Sequence, residues 1–207
     1  MPALQRKIEA VIFDLYDTLI YLSRPTDPYA ALFAALGIHD MHEAARLALT
    51  EPIKDFSDLA SKLRPGHSID IQSCEQQLSL ELASAALFPE TQDSLIRLRN
   101  EGYRTGVISN LSSPHKSPFF DLGLDKLVDS YLFSCDEGIK KPDREIYQRM
   151  LKRLNVSPDR ALMVGDSLYC DVFGPQSVGI DAILLDRRND STEPRKIQNL
   201  QKIFRCL

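Results

Sequence analysis

Residues Ile8 to Phe13 form a short apolar run, interrupted only by Glu9, that stops at Asp14. A run of this length, rich in Ile and Val and closed by a polar turn, predicts a strand buried on both faces. The same signature returns at Arg104–Ile108, Ser130–Ser134, Ala161–Val164 and Ala182–Leu185. Between these runs the apolar spacing becomes helical. Glu90–Glu101 carries Leu95, Ile96 and Leu98 and ends at Gly102, while Asp143–Leu154 sets Ile146, Tyr147, Met150, Leu151 and Leu154 on one face. Ser117–Leu122 and Leu168–Val178 read as further helices, and Arg195–Phe204 as a terminal one. Strand–helix alternation predicts parallel βα units with right-handed crossovers, hence a doubly wound parallel α/β sheet.

One stretch breaks the alternation. From about Ile20 to Phe88 the character changes to separate helical stretches, with Tyr29, Leu32, Phe33 and Leu36 on one face before Gly37, then Met41–Leu49 and Ile71–Leu87. Pro25, Pro28, Pro52 and Pro65-Gly66 punctuate it. The expected organisation is a core of residues 1–19 and 89–207 with a helical insert at 20–88.

Composition narrows the chemistry. At 207 residues, 43% hydrophobic and 26% charged, the chain can bury one α/β core but not two full domains. A net charge of −4 without a long basic run argues against nucleic-acid binding. No stretch has a membrane-spanning length, and Met1–Lys7 lacks the apolar run of a secretory leader. The four cysteines, Cys74, Cys135, Cys170 and Cys206, form no C-x-x-C pair and read as reduced thiols. A cytoplasmic protein, monomeric or dimeric and free of membranes, is expected.

Asp14, Ser109 and Asp166 each follow directly on an apolar strand. In an open parallel sheet such residues project from one edge, where ligands bind. Asp14 is the candidate nucleophile. Asp166 can hold Mg²⁺ together with Asp14, since that cation prefers carboxylate oxygens. Ser109 and Asn110 offer donors to phosphate oxygens, and Lys141 a compact positive charge. Asp171, five residues after Asp166, can complete the metal shell or orient Lys141. Lys140 is expected to be solvated, and Cys170 to fill space. His39, His42, His67 and His115 have no spacing of a metal site or triad, and solvated or capping roles are expected. Arg24, Tyr29 and Arg64 of the insert read as surface or packing residues, with substrate contact as the alternative.

The ordered set Asp14-Leu15-Tyr16-Asp17-Thr18, Ser109, Lys141-Pro142-Asp143, and Gly165-Asp166-Ser167 with Asp171 resembles the haloacid dehalogenase (HAD) superfamily over nearly the whole chain. The resemblance implies a HAD-like Rossmannoid core and a C1-type cap over 20–88. It also implies a Mg²⁺-dependent phosphatase acting on a small phosphorylated substrate, with Asp14, Tyr16 (through its backbone C=O), Asp166 and Asp171 around the metal. One position departs from the pattern. Phosphatases of this family carry a second Asp two residues after the nucleophile as acid and base, where this chain has Tyr16. A phenol, with a pKa of about 10, is a poor base at neutral pH, so Tyr16 stands either as the acid and base of the site or as a filler of space. Asp17 stands where the family often has Gly. L-2-haloacid dehalogenases of the superfamily are similar to this chain at Asp-x-Tyr-x-Thr and need no metal, but normally have a neutral residue in place of Asp166. A metal-independent 2-haloacid dehalogenase therefore stands as an alternative. So does a weakly active HAD-like protein that binds a phosphorylated ligand or a protein partner.

Overall fold

The computed structural model describes residues 8–66 and 70–207. Met1–Lys7 and His67 lie outside the described residues. In chain order the elements begin with β1 (Ala10–Phe13), β2 (Ile20–Leu22), α1 (Pro28–Ala35), α2 (Met41–Thr50), α3 (Phe56–Leu63), α4 (Gln72–Ala83) and β3 (Ala85–Leu87). They continue with α5 (Thr91–Asn100), β4 (Arg104–Ser109), α6 (Ser117–Asp121), β5 (Ser130–Phe133), α7 (Ser134–Glu137), α8 (Arg144–Leu154) and β6 (Ala161–Gly165). After a π-helical turn at Leu168–Phe173 come α9 (Gly174–Gln176), β7 (Asp181–Leu185), β8 (Lys196–Ile197) and a 3₁₀ turn at Leu200–Arg205.

The main sheet runs β5-β4-β1-β6-β7-β8, with every neighbouring pair parallel. The chain moves outward from β1 through β4 to β5, then returns to β6 on the other side of β1. The strand order therefore reverses between β1 and β6, which is where an open α/β sheet forms its ligand crevice. Alternate residues of β1 feed two cores. Val11 and Phe13 pack with Leu95, Leu98, Leu162 and Val164 on one face. Ala10 and Ile12 pack with Ile146, Tyr147, Met150 and Met163 on the other. Both faces are covered, so β1 reads as continuous apolar sequence rather than as alternation.

The insert holds a third core of its own, built on Leu32, Phe33, Phe56, Leu59 and Leu78. Asp27, Asp40 and Asp55 cap α1, α2 and α3 by accepting from the backbone N–H three residues on. Gly37, at φ +61°, ends α1 in the left-handed region that favours glycine.

Three expectations need correction, and one helix adds to them. The helix expected over Ile71–Leu87 stops at Ala83, and Ala85–Leu87 pairs antiparallel with Ile20–Leu22. Ala and Leu favour helix, but cross-strand pairing overrides that preference here. The insert is thus entered and left through a two-stranded ribbon. Helix α3 has no clear counterpart in the sequence pattern, because eight residues behind Pro52 give too short a period to stand out. The helix expected over Leu168–Val178 is a π turn followed by the short α9, since Pro175 has no N–H to continue an α ladder. The expected terminal helix at Arg195–Phe204 is instead β8, paired parallel with β7, and a 3₁₀ turn.

Candidate active site

The tips of β1, β4 and β6 bring Asp14, Ser109 and Asp166 to one edge of the sheet, as the sequence predicts. Asp14 extends the β1–β6 ladder by one bond, its N–H donating to the Val164 carbonyl at 3.0 Å. Its position is therefore fixed by main chain. Lys141 reaches this edge from the loop before α8. Its Nζ donates to Asp14 Oδ1 at 2.5 Å and to Asp171 Oδ1 at 2.7 Å. The ammonium is 2% exposed and Asp171 is 1% exposed, so this is a buried three-member ion network. Asp171 Oδ2 accepts the Ser167 N–H at 3.0 Å, which occupies its second oxygen and fixes its plane.

Asn110 holds Lys141 from behind. Its Nδ2 donates to the Lys141 carbonyl at 2.8 Å, and the Lys141 N–H donates to its Oδ1 at 2.7 Å. The sequence offers Asn110 as a substrate donor, and the structure adds a second task, clamping the backbone that carries the lysine. The Lys141–Pro142 peptide is cis. Ser109, 2% exposed, closes β4 beside this loop.

Carboxylate oxygens of Asp14, Asp166 and Asp171 lie within 4.8 Å of one another. Three acids face one ammonium. Burial, offset in part by Lys141, pushes the Asp14 carboxyl up to about 7. Partial desolvation, then the nearby charges of Asp171 and Asp17, raise Asp166 to about 6, although that residue remains open to solvent. Burial alone would lower the Lys141 ammonium, yet Asp14 and Asp171 outweigh it and raise the group above its ordinary value. A set of hard oxygens carrying excess negative charge suits Mg²⁺.

These shifts fix a pH dependence. An acid that titrates near 7 folded and near 3.9 unfolded keeps its proton longer in the folded chain, so stability falls as pH rises through about 4 to 7. Lys141 stays charged across this window and adds no slope. A cation held by the acids displaces those protons. Mg²⁺ is therefore expected to raise the melting temperature by several degrees near pH 8 and by about 1 °C or less near pH 5.5, read by calorimetry. Equal shifts at both pH values would contradict this assignment.

Gly165 shows how tightly the cluster is built. A Cβ there would overlap the Asp171 carboxyl and lie 2.7 Å from Asp171 Cβ. Gly165→Ala is expected to displace Asp171, free one side of Lys141 and cost about 2–3 kcal/mol in urea unfolding.

Tyr16 turns away from a catalytic role of its own. Its hydroxyl donates to the His115 carbonyl at 2.9 Å, and burial, then the charge of Glu81, raises its pKa above the ordinary phenol value. Asp17 occupies the left-handed region at φ 58°, the conformation expected of a Gly position. Arg187 braces this turn, donating to the Thr18 carbonyl at 2.7 Å and lying 3.4 Å over the Phe88 ring.

A further cluster joins Tyr29, which the sequence offers as a substrate contact, to Ser112, His115 and Glu81, for which it offers no functional role. Tyr29 of α1 meets the Ser112 hydroxyl, Ser112 Oγ lies 3.0 Å from His115 Nδ1, and His115 Nε2 lies 3.2 Å from Glu81 Oε1 on α4. Glu81 Oε2 also accepts the N–H groups of Thr26 and Asp27. His115, expected to be solvated or capping, is largely enclosed, its side chain 14% exposed, and that desolvation lowers its pKa despite the Glu81 carboxylate beside it. The chain of contacts ties two helices of the insert to the loop after β4. It borders a cavity of about 640 Å³ whose wall includes Tyr16 and Asn110.

Comparison with known proteins gives three informative likenesses. The chain is 39% identical over 97 residues to glyceraldehyde 3-phosphate phosphatase of Pyrococcus furiosus, which covers 46% of the chain and 40% of that enzyme. The chain thus spans about two fifths of the length of that relative. It is 25% identical over 200 residues to (S)-2-haloacid dehalogenase 4A of Burkholderia cepacia, covering 90% of the chain and 86% of the relative. A solved structure of a dehalogenase with an intermediate complex superposes with a TM-score of 0.69 at 22% identity, over 97% of each chain, which shows the shared fold. Residues 8–179, which hold all the acids, the lysine and the serine of the sheet edge, match the haloacid dehalogenase-like hydrolases, and the chain belongs to that family.

Proposed function

We propose that the protein is a Mg²⁺-dependent phosphatase that hydrolyses a small phosphomonoester through an aspartyl-phosphate on Asp14. The observation that carries this reading is the buried Lys141 ammonium shared between Asp14 and Asp171, with Asp166 at its mouth. Asp14, Asp166 and the Tyr16 carbonyl are the groups that would hold Mg²⁺. The cation supplies neutralisation of charge on the phosphate oxygens. Asp171, with both oxygens already hydrogen-bonded, acts chiefly by orienting Lys141.

An Asp14 oxygen attacks phosphorus, and the ester P–O bond breaks with its electron pair on the departing oxygen. Water then attacks the phosphorus of the acyl phosphate. The P–O bond to Asp14 breaks, returning the carboxylate and releasing phosphate. Lys141 neutralises Asp14 and the incoming phosphate, and the Ser109 hydroxyl donates to a phosphate oxygen. Residues 20–88 serve as the cap that closes over the substrate, with residues 1–19 and 89–207 as the catalytic core.

The haloacid dehalogenase reading draws on Tyr16 and on the dehalogenase relative. Asp166 opposes it, because a carboxylate at the mouth repels an anionic haloacid unless a cation is present. An assay of p-nitrophenyl phosphate with and without Mg²⁺, run beside chloride release from 2-chloropropionate, separates the two. Strictly Mg²⁺-dependent phosphate release is expected. Metal-independent chloride release would replace this reading with the second.

A further inference from the structure

The cavity beside Tyr16 has a composition that bears on the leaving group. Its wall is mostly apolar, with Leu22, Pro28, Phe33 and Leu49 contributed by the insert. Among the described residues that line it, the carboxylates Asp17, Asp27 and Glu81 face one guanidinium, Arg188, and the His115 ring lies against Glu81. A second anionic group on the substrate would meet more acid than base there. At about 640 Å³ the space accepts a ring-sized group. A separate observation concerns proton supply. The residue two positions after Asp14 is Tyr16, and its hydroxyl donates to the His115 carbonyl rather than into the reaction. The leaving oxygen must then depart without a proton from that position. A phenol, with a pKa of about 10, carries the resulting charge far better than an alkyl alcohol.

We propose that the substrate is a phosphate monoester of an uncharged, apolar and acidic hydroxyl, an aryl or enol phosphate, because an apolar cavity richer in acid than in base adjoins a nucleophile site beside which the Tyr16 hydroxyl is engaged by the His115 carbonyl. This inference rests on the phosphomonoesterase reading. In the first step the P–O(aryl) bond breaks and its electron pair leaves on the phenolate, so no proton is required. In the second, water bonds to phosphorus, the P–O(Asp14) bond breaks, and the proton passes to solvent. With no base at position 16 to take that proton, the second step is slow and the phosphoenzyme accumulates.

The test is stopped-flow and steady-state kinetics of the full chain with Mg²⁺ on a series of substituted phenyl phosphates, glyceraldehyde 3-phosphate, 2-phosphoglycolate and ribulose 1,5-bisphosphate. For p-nitrophenyl phosphate a burst of nitrophenolate stoichiometric with enzyme is expected. From p-nitrophenyl to unsubstituted phenyl phosphate kcat/KM is expected to fall at least about tenfold. The two esters that carry a second anionic group, 2-phosphoglycolate and ribulose 1,5-bisphosphate, are expected to be about 100-fold poorer than the aryl esters. Leu49→Lys, which places a cation on the half-buried cavity wall, is expected to improve 2-phosphoglycolate relative to p-nitrophenyl phosphate by about tenfold. Tyr16→Asp is expected to abolish the burst by supplying the missing acid and base. A flat dependence on leaving-group acidity, or a preference for the bisphosphate or for phosphoglycolate, overturns this inference while leaving the phosphatase reading intact. Absence of turnover on every ester, in protein whose melting temperature responds to Mg²⁺, overturns the phosphatase reading and this inference with it.

Discussion

Asp14→Asn is expected to lower kcat/KM for any phosphomonoester by about 10⁴-fold or more, because the amide cannot form the acyl phosphate. The fold is expected to survive. Asn keeps the shape of Asp and offers its Oδ1 to Lys141, and the Asp14 N–H bond to Val164 is a main-chain contact. Removing a carboxyl that burial already holds near 7 also relieves an electrostatic cost above that pH. Far-ultraviolet circular dichroism and a melting curve within a few degrees of wild type, together with lost turnover, are the expected joint outcome. Turnover within about tenfold of wild type would remove Asp14 from the chemistry.

Lys141→Met is the second large effect, and it acts on stability as well as rate. Met fills much of the same volume but leaves Asp14 and Asp171 buried with their cation gone. Breaking a buried ion network by removing one partner costs about 3–5 kcal/mol. The loss is expected to be largest near pH 8. It should shrink toward about pH 5, where Asp14, already raised by burial and raised further without the ammonium, takes up a proton. Urea unfolding at both pH values checks this, and phosphatase activity should be undetectable at either. Adding Asp171→Asn to Lys141→Met should recover part of the stability and none of the activity. A Lys141→Met variant as stable as wild type at pH 8 would mean that the ammonium does not hold the acids together.

Much of this architecture was legible in the sequence because it is written in local periods. The apolar runs ending at Asp14, Ile108 and Val164 gave the strands and, through the rule for parallel sheets, the shared edge. Asp17 stood where the resemblance has Gly, and its backbone takes the left-handed turn of a Gly. What stayed hidden is carried by contacts between distant segments. Ala85–Leu87 has helical residues and becomes a strand only because Ile20–Leu22 lies beside it. Tyr29, Glu81, Ser112 and His115 share no spacing, and tertiary packing alone joins them. The partner of the Tyr16 hydroxyl is a main-chain carbonyl, a group present at every position and therefore silent in any sequence pattern.

The most direct test of the central claim is a rapid acid quench of the enzyme during turnover of a ³²P-labelled aryl phosphate, followed by mass spectrometric mapping of the phosphopeptide. Label on Asp14, stoichiometric with enzyme and dependent on Mg²⁺, is the result this account predicts. Steady turnover with no labelled Asp14, or with the phosphoryl group on Ser109, would contradict it.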